Sequence, residues 1–215
     1  MIDLSKFFSI LASMLQKIKD RQTQKAKLPS INQDYMFDGV NGKKYTNPRY
    51  NLNNFKRDLF KIDMVVIHCT AAGSQGWEVP TAEINYAIHP NHISKKGCAT
   101  ASYHFYINQK GNIWQLVSMN YYTWHCSGQN TNSVAVCINH DGFKQSQITK
   151  EMYSGLVDTI CYVFDYLNWS YDEYGVRDHL HFHRDFANKA CPGKLVYDDL
   201  VMNVSNRLKQ WGDNL

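Results

Sequence analysis

The chain has 215 residues, of which 44% are hydrophobic and 13% aromatic, so it is long enough to bury one sizeable core. Its formal net charge of +4 is modest, and the lack of repeats and low-complexity stretches excludes collagen-like, repeat and wholly disordered proteins. Six cysteines occur without a secretory signal, and Cys137 and Cys161 lie in apolar runs, so we expect reduced thiols rather than a disulfide framework.

Residues 1–60 are predicted to form an N-terminal extension. Near its start, apolar side chains recur at helical spacing and predict an amphipathic helix. These side chains are Leu4, Phe7, Phe8, Leu11, Met14, Leu15 and Ile18. The helix is too short to span a bilayer, so we expect it to dock on the main domain, on a partner protein or on a membrane surface. The second half of the extension is polar, with a turn predicted at "DGVNGKKY".

The extension is also the basic part of the chain. It carries eleven Lys and Arg against five Asp, whereas residues 61–215 carry twelve basic against fourteen acidic residues. A basic arm can meet nucleic acid, anionic lipid or an anionic cell-wall polymer, and a solvated extension explains the charge equally well. We expect no nucleic-acid partner. The start of the chain lacks the features of a signal peptide, which predicts synthesis in the cytoplasm.

The main domain is predicted to cover residues 61–215, because strand and helix patterns alternate there. "DMVVIHCT" (63–70) is a short apolar run with β-branched residues, typical of a buried strand that ends at a histidine. "ASYHFYIN" (101–108) and "IWQLV" (113–117) flank the turn sequence "QKGN" and predict a hairpin. "SVAVCINH" (133–140) predicts another buried strand.

Three segments of the main domain predict helices. "TAEINYAIH" (81–89) begins at a threonine and is followed by a proline. Residues 149–169 have a clear amphipathic pattern, with Thr149 as the N-cap, and residues 196–211 form a closing helix. Strands interleaved with helices predict an α/β fold: a single domain with a central mixed β-sheet flanked by helices, plus the N-terminal helical extension.

The densest group of reactive side chains lies in "HLHFHRDFANKACPGK" (179–194). His183 and Cys191 are eight residues apart, so a loop is needed to bring them together, and thiolate with imidazole suits Zn²⁺. His68 is the best third ligand, because it ends a predicted buried strand. Three protein ligands leave one position open, as in catalytic zinc sites, whereas a fourth ligand such as Cys126 would indicate a structural site.

A metal-free alternative makes Cys191 a nucleophile that His183 or His125 activates. This interpretation accounts for a cysteine in polar surroundings. It leaves His68 unexplained, and the cysteine precedes Pro-Gly instead of opening a helix that would lower its pKa.

Three further side chains are candidates for the site. Lys189 lies two residues before Cys191, where it would face a developing oxyanion or simply remain a surface lysine. Tyr103 and His104 point to opposite faces of a strand, so at most one of them faces a site on that sheet. His125 lies in the turn-like "TWHCSG", as binding residues often do.

Four segments resemble, in order, the type 2 N-acetylmuramoyl-L-alanine amidases, a family that includes phage lysins and peptidoglycan recognition proteins. The segments are "VVIHCTA", "SYHFYIN", "TWHCSG…NSVAVCI" and "HRDFANKACPG", within a stretch from about Asp63 to Leu208. The resemblance implies Zn²⁺ as cofactor, with His68, His183 and Cys191 as its ligands. The segment "WHCSG" departs from the shorter "WHAG" that is common in the family.

The resemblance also implies roles for residues around the metal. Tyr103 and Lys189 match positions that assist catalysis, His125 matches a histidine of the substrate groove, and Thr70 matches the threonine beside the first ligand. The implied reaction is hydrolysis of the amide between N-acetylmuramic acid and L-alanine in peptidoglycan. Because both Lys189 and Cys191 are present, an enzyme is favoured over a non-catalytic peptidoglycan-binding module. The general base is left open between Glu78 and Glu83.

The family also implies where the protein acts. A phage endolysin is made in the cytoplasm, reaches the bacterial cell wall through a separate membrane pore and degrades it, whereas a cellular recycling enzyme of the same family would act inside the cytoplasm. The sequence leaves both settings open. The expected partner is therefore peptidoglycan, and we expect the protein to be a monomer. The first 60 residues match nothing in the family's core motifs, so their role is unassigned.

Overall fold

The computed structural model describes residues 29–37, 46–71, 78–90, 97–141 and 148–213. The predicted N-terminal amphipathic helix and the turn predicted at "DGVNGKKY" lie outside these residues. Within the described part of the chain, the predicted α/β architecture with one mixed sheet is confirmed.

Six strands form the sheet, in the order β1-β4-β3-β5-β2-β6. Only β3 and β4 pair antiparallel, as the predicted hairpin, and every other neighbouring pair is parallel. The strands are β1 (Ile31–Asn32), β2 (Met64–Cys69), β3 (Phe105–Ile107), β4 (Ile113–Gln115), β5 (Ser133–Ile138) and β6 (Leu180–Phe182). The strand predicted over 101–108 is thus only three residues long, and β6 was not predicted.

Four described helices flank the sheet: α1 (Thr81–Ile88), α2 (Lys150–Leu167), α3 (Glu173–His179) and α4 (Tyr197–Asp213). Helix α2 begins where the sequence predicts, because the Thr149 hydroxyl accepts the backbone N–H of Met152 at 3.0 Å. The short helix α3 was not predicted. None of the helices in the described ranges is long and apolar enough to cross a membrane.

One face of the sheet forms the larger core. Alternate residues of the central strands, such as Val65, Ile67 and Val136, are fully buried there and pack with residues of α2 and α4. Because side chains alternate along a strand, His68 must point to the other face. The hydrophobic pattern of β2 therefore decides the face on which the site is built.

The second face is covered by α1 and by residues that precede β2. Phe37 and Phe55 from this preceding segment are buried with Ile84 of α1 and with Tyr106 and Trp114 of the hairpin. Strand β1 adds to the sheet edge by pairing with β4. Described residues of the predicted extension are therefore packed against the α/β domain.

Arg57 fastens this preceding segment to the loop before β5. Its Nε donates to the carbonyl of Met119 at 2.9 Å, and its Nη1 donates to the carbonyls of Asn130, Thr131 and Ser133 at 3.3, 3.2 and 2.6 Å. Burial lowers the pKa of Arg57 to about 9, so the guanidinium remains charged at neutral pH. One cation thus hydrogen-bonds four carbonyl groups from two separate segments of the chain.

We predict that Arg57→Met lowers the free energy of unfolding by about 3 kcal/mol, because it leaves carbonyl groups near the end of the sheet unsatisfied. Urea denaturation measures the change. Arg49→Met, an exposed arginine of the same segment, is the matched control and should cost less than about 0.5 kcal/mol. Equal stability of the two variants would contradict this role for Arg57.

Candidate functional site

The candidate site lies at the carboxyl ends of the parallel strands β2 and β6. These strands pair in register, with Ile67 opposite Phe182, so the next residues, His68 and His183, come side by side. Their ring centroids are 4.4 Å apart. Residues 180–183 alternate apolar and polar in "LHFH", a short period-two signal that is consistent with the strand β6.

The loop after His183 folds back and returns Cys191 to the strand ends. The backbone N–H of Arg184 donates to the carbonyl of Cys191 at 2.9 Å. The guanidinium of Arg184 donates to the carbonyls of Gly193 and, at 3.0 Å, Leu195. Arg184 therefore closes the eight-residue gap that the sequence left between the two candidate ligands.

Three side chains converge at this point. The ligand atoms of His68, His183 and Cys191 all lie within 4.8 Å of one another, and they form the one such His/Cys/Asp/Glu group found among the described residues. The Cys191 sulfur lies 3.9 Å from Nδ1 of His68. Two imidazoles and a thiol fit a metal ion with one coordination position left open. Cys126, the candidate fourth ligand, is buried and does not belong to the group.

Cys69 supports the sulfur of Cys191. The backbone N–H of Cys69 donates to Cys191 Sγ at 3.2 Å, and the two sulfurs are 3.8 Å apart. The neighbouring Cys69 thiol and burial raise the pKa of Cys191 above its ordinary value. The metal-free protein therefore holds Cys191 as a thiol, which has to lose its proton when a metal binds.

His125 contacts the first of these ligands. Its Nδ1 lies 2.9 Å from Nε2 of His68, and its Nε2 lies 2.9 Å from the hydroxyl of Ser133. Burial lowers the pKa of both imidazoles, so both rings are neutral at physiological pH. Both ring nitrogens of His125 are thus engaged within the protein, which leaves only its carbon edge for the predicted contact with substrate. Because both nitrogens are engaged, His125 is also not available as the base that would activate Cys191.

Tyr103 lies just before β3, beside the converging side chains. Its ring centroid is 5.1 Å from that of His68. Burial raises the pKa of Tyr103, so the hydroxyl keeps its proton. His104 has different neighbours: Nδ1 accepts the N–H of Ala135, and Nε2 lies 2.9 Å from both the carbonyl of Tyr121 and Nη2 of Arg57.

The other two predicted residues lie at the rim. Lys189 is exposed in the loop between His183 and Cys191, and, after burial, its positive charge is the second cause that lowers the pKa of His183. The hydroxyl of Thr70 lies 3.3 Å from two acceptors, the side-chain oxygen of Asn139 and the carbonyl of His140, and its one proton is shared between them. Thr70 therefore ties the end of β2 to the segment after β5.

Of the two candidate bases, Glu83 is fully enclosed and Glu78 is exposed. Glu83 accepts the backbone N–H of Ser102 at 3.3 Å, and its second oxygen has no partner within the described ranges. Burial raises the pKa of Glu83 to about 8, so this carboxyl is mostly protonated at neutral pH. Glu78 forms an exposed ion pair with Lys110. Neither carboxyl has a contact with the three converging side chains in the described structure.

Comparison with known proteins gives a family and a set of similar folds. Residues 58–194 match a family described as N-acetylmuramoyl-L-alanine amidase. A comparison with curated protein sequences returned no match.

Among solved structures, the endolysin N-acetylmuramoyl-L-alanine amidase LysCS from Clostridium intestinale URNW is similar, with a TM-score of 0.58 and 19% identity over 83% of this chain and 97% of that one. The endolysin of Thermus scotoductus bacteriophage Ph2119 has a TM-score of 0.54 and 15% identity, over 81% and 99% of the two chains. Drosophila peptidoglycan recognition protein SD has a TM-score of 0.51 and 18% identity, over 65% and 79%. At these identities the similarity shows the fold alone.

We predict that the metal-free protein binds one divalent ion per chain. His183→Ala and Cys191→Ser should each weaken this binding by ~100-fold or more, because loss of a residue that only supports a ligand already lowers metal affinity 10–100-fold. Isothermal titration with ZnCl₂ measures both. His181→Ala removes an imidazole of β6 that contacts the Asp178 carbonyl and is absent from the converging group. It should bind as tightly as the wild type. Unchanged affinity in the other two variants would show that these side chains hold no metal.

We also predict that Glu83 makes the free energy of unfolding of the wild type fall as the pH rises. The unfolded chain releases this proton near pH 4.5 and the folded chain near pH 8, so between these values the unfolded state holds fewer protons. Glu83→Gln should therefore gain stability relative to the wild type between pH 5 and pH 8, at about 1.4 kcal/mol per pH unit. Urea denaturation at both pH values tests this, with Glu78→Gln as the exposed control. A constant difference would be inconsistent with a protonated Glu83.

Proposed function

Because this chain belongs to the N-acetylmuramoyl-L-alanine amidase family, we propose that it is a zinc-dependent hydrolase that cleaves the amide bond between N-acetylmuramic acid and L-alanine in peptidoglycan. The observation that carries the proposal is the convergence of His68, His183 and Cys191 at the carboxyl ends of two parallel strands. The family match covers all three of these residues.

The donor set supports zinc as the metal. Two imidazoles and one thiolate are borderline-soft ligands, and a site with three protein ligands retains an open position for water or substrate. Bound zinc would supply Lewis acidity toward the scissile carbonyl and a hydroxide nucleophile at neutral pH. His68, His183 and Cys191 would hold the ion, and the backbone N–H of Cys69 would steady the thiolate sulfur.

Tyr103 and Lys189 would act on the substrate. Tyr103 keeps its hydroxyl proton beside His68, so it would donate a hydrogen bond to the attacking water or carry a proton to the leaving amine. Lys189 is an exposed cation whose charge acts on His183, and it would stabilise the oxyanion that develops on the carbonyl. One such donor typically lowers the activation free energy by ~2.7–4 kcal/mol. In this proposal Thr70 only orients the chain beside the first ligand.

The biological setting we propose is that of a phage endolysin acting on the bacterial cell wall. Two of the similar structures are named as endolysins. The role of the N-terminal helix, as a contact for a membrane surface or a protein, stays a prediction, and so do the boundary at residue 61 and the monomeric state. The competing function is peptidoglycan binding without cleavage, for which the fold similarity to a recognition protein is the supporting observation.

We predict that the protein releases stem peptides beginning with L-alanine from purified peptidoglycan and that a zinc chelator abolishes the release. Mass spectrometry of the soluble products identifies the new amino terminus and so distinguishes an amidase from a glycosidase or an endopeptidase. Restoration by added Zn²⁺ is the control for damage by the chelator. Binding to walls of several chemotypes with no released peptide would select the non-catalytic function.

A second prediction concerns the two side chains that would act on the substrate. Lys189→Ala and Tyr103→Phe should each lower kcat by about 100-fold or more while zinc affinity stays close to that of the wild type, because neither residue is a ligand. Steady-state release of muropeptide and zinc titration give the two measurements. Lys194→Ala, an exposed lysine just past the end of the same loop, is the matched control. Full activity in both variants would remove these roles without removing the metal.

A further inference from the structure

We propose that Ser133 is a positioning residue for the metal site, which sets the proton positions of His125 and His68 so that Nδ1 of His68 is left bare for a metal ion. The inference deepens the proposed function and rests on it only for the identity of the metal. It depends on three consecutive contacts: Gln129 to Ser133, Ser133 to His125, and His125 to His68.

The first contact fixes the direction of the chain of hydrogen bonds. The Ser133 hydroxyl lies against the backbone carbonyl of Gln129, which can only accept. A serine has a single hydroxyl proton, and here that proton points to Gln129. Toward His125, the Ser133 oxygen is therefore an acceptor, so Nε2 of His125 must carry a proton to make its 2.9 Å hydrogen bond.

The direction of hydrogen-bond donation set at Ser133 then determines the donors and acceptors of the two imidazoles. A neutral His125 with its proton on Nε2 has a bare Nδ1, and this nitrogen lies 2.9 Å from Nε2 of His68. Nε2 of His68 must be the donor in that contact. A neutral His68 with its proton on Nε2 has a bare Nδ1, which is the nitrogen 3.9 Å from the Cys191 sulfur. The lone pair of His68 is thereby directed toward the other two ligands.

The surrounding structure holds this arrangement in place. Ser133 is fully buried, and its backbone carbonyl accepts Nη1 of Arg57 at 2.6 Å. The side-chain oxygen of Asn130 accepts the backbone N–H of His125 at 3.0 Å and that of Cys126 at 2.8 Å. The backbone of the loop is thus held at His125 and at Ser133, and the imidazole itself is held by its contacts with Ser133 and His68.

The opposite proton arrangement would block the site. If His125 carried its proton on Nδ1, it would donate to Nε2 of His68, and the His68 proton would then occupy Nδ1, the ligand atom. Without the Ser133 hydroxyl, Nε2 of His125 loses the acceptor that selects the first arrangement. Residues that orient a histidine ligand in this way are typically worth 10–100-fold in metal affinity.

The direct test uses the wild-type protein without metal. Long-range ¹H–¹⁵N correlation spectra of the histidine rings report which nitrogen carries the proton, and both His68 and His125 are expected to be protonated at Nε2. A proton on Nδ1 of either ring, or a cationic His68 at neutral pH, would overturn the proposal. This outcome is independent of whether the protein cleaves peptidoglycan, so the proposal and the proposed function fail separately.

The variant test measures affinity. Ser133→Ala is expected to weaken Zn²⁺ binding by 10–100-fold in competition with a chromogenic chelator and to show a mixture of His68 tautomers. The matched control is Ser205→Ala, which removes another buried serine hydroxyl that donates to a backbone carbonyl, that of Tyr171, far from the site in the fold. Wild-type affinity and tautomers in Ser133→Ala would exclude the positioning role. If this variant does not fold, the wild-type spectra still decide.

Discussion

The parallel pairing of β2 with β6 is the constraint on which the site depends. Parallel strands end at the same edge of a sheet, so a ligand at the end of each strand comes to one place without any long side chain having to reach for it. The register that sets Ile67 opposite Phe182 brings His68 and His183 together, and the loop closed by Arg184 then adds the sulfur. A shift of one residue in this pairing would move one of the two histidines to the opposite face of the sheet, where it would lie in the hydrophobic core.

The same sheet separates two kinds of interior. Its first face is almost purely apolar and supplies most of the hydrophobic stabilisation. Its second face buries polar groups, including His104, His125 and Ser133, and each of these has named hydrogen-bond partners. Burying such groups costs stability unless they are paired, so the network that surrounds the candidate ligands also contributes to folding.

Much of this architecture was predictable from the sequence because it depends on local patterns. β2, β5 and α2 have clear periodicities, and the candidate ligands were inferred from a strand end and from a cluster of reactive residue types. The sequence did not reveal β6 and α3, which are too short for a strong periodic signal, although the alternation in "LHFH" was present. Ser133 and Arg57 were missed for another reason: a serine that opens a strand and an arginine in a polar segment are ordinary, and their roles arise only when distant loops fold onto them.

The position of Arg57 also bears on what can be exchanged between related proteins. Similarity to the family begins at residue 58, one residue after the arginine that clamps the loop of His125. A unit cut at that border would keep all three candidate ligands and lose the cation that holds the loop beside them. The segment that matches the family is therefore shorter than the segment needed to hold the site in place. Recombination or grafting would preserve the site only if the less recognisable segment travelled with it.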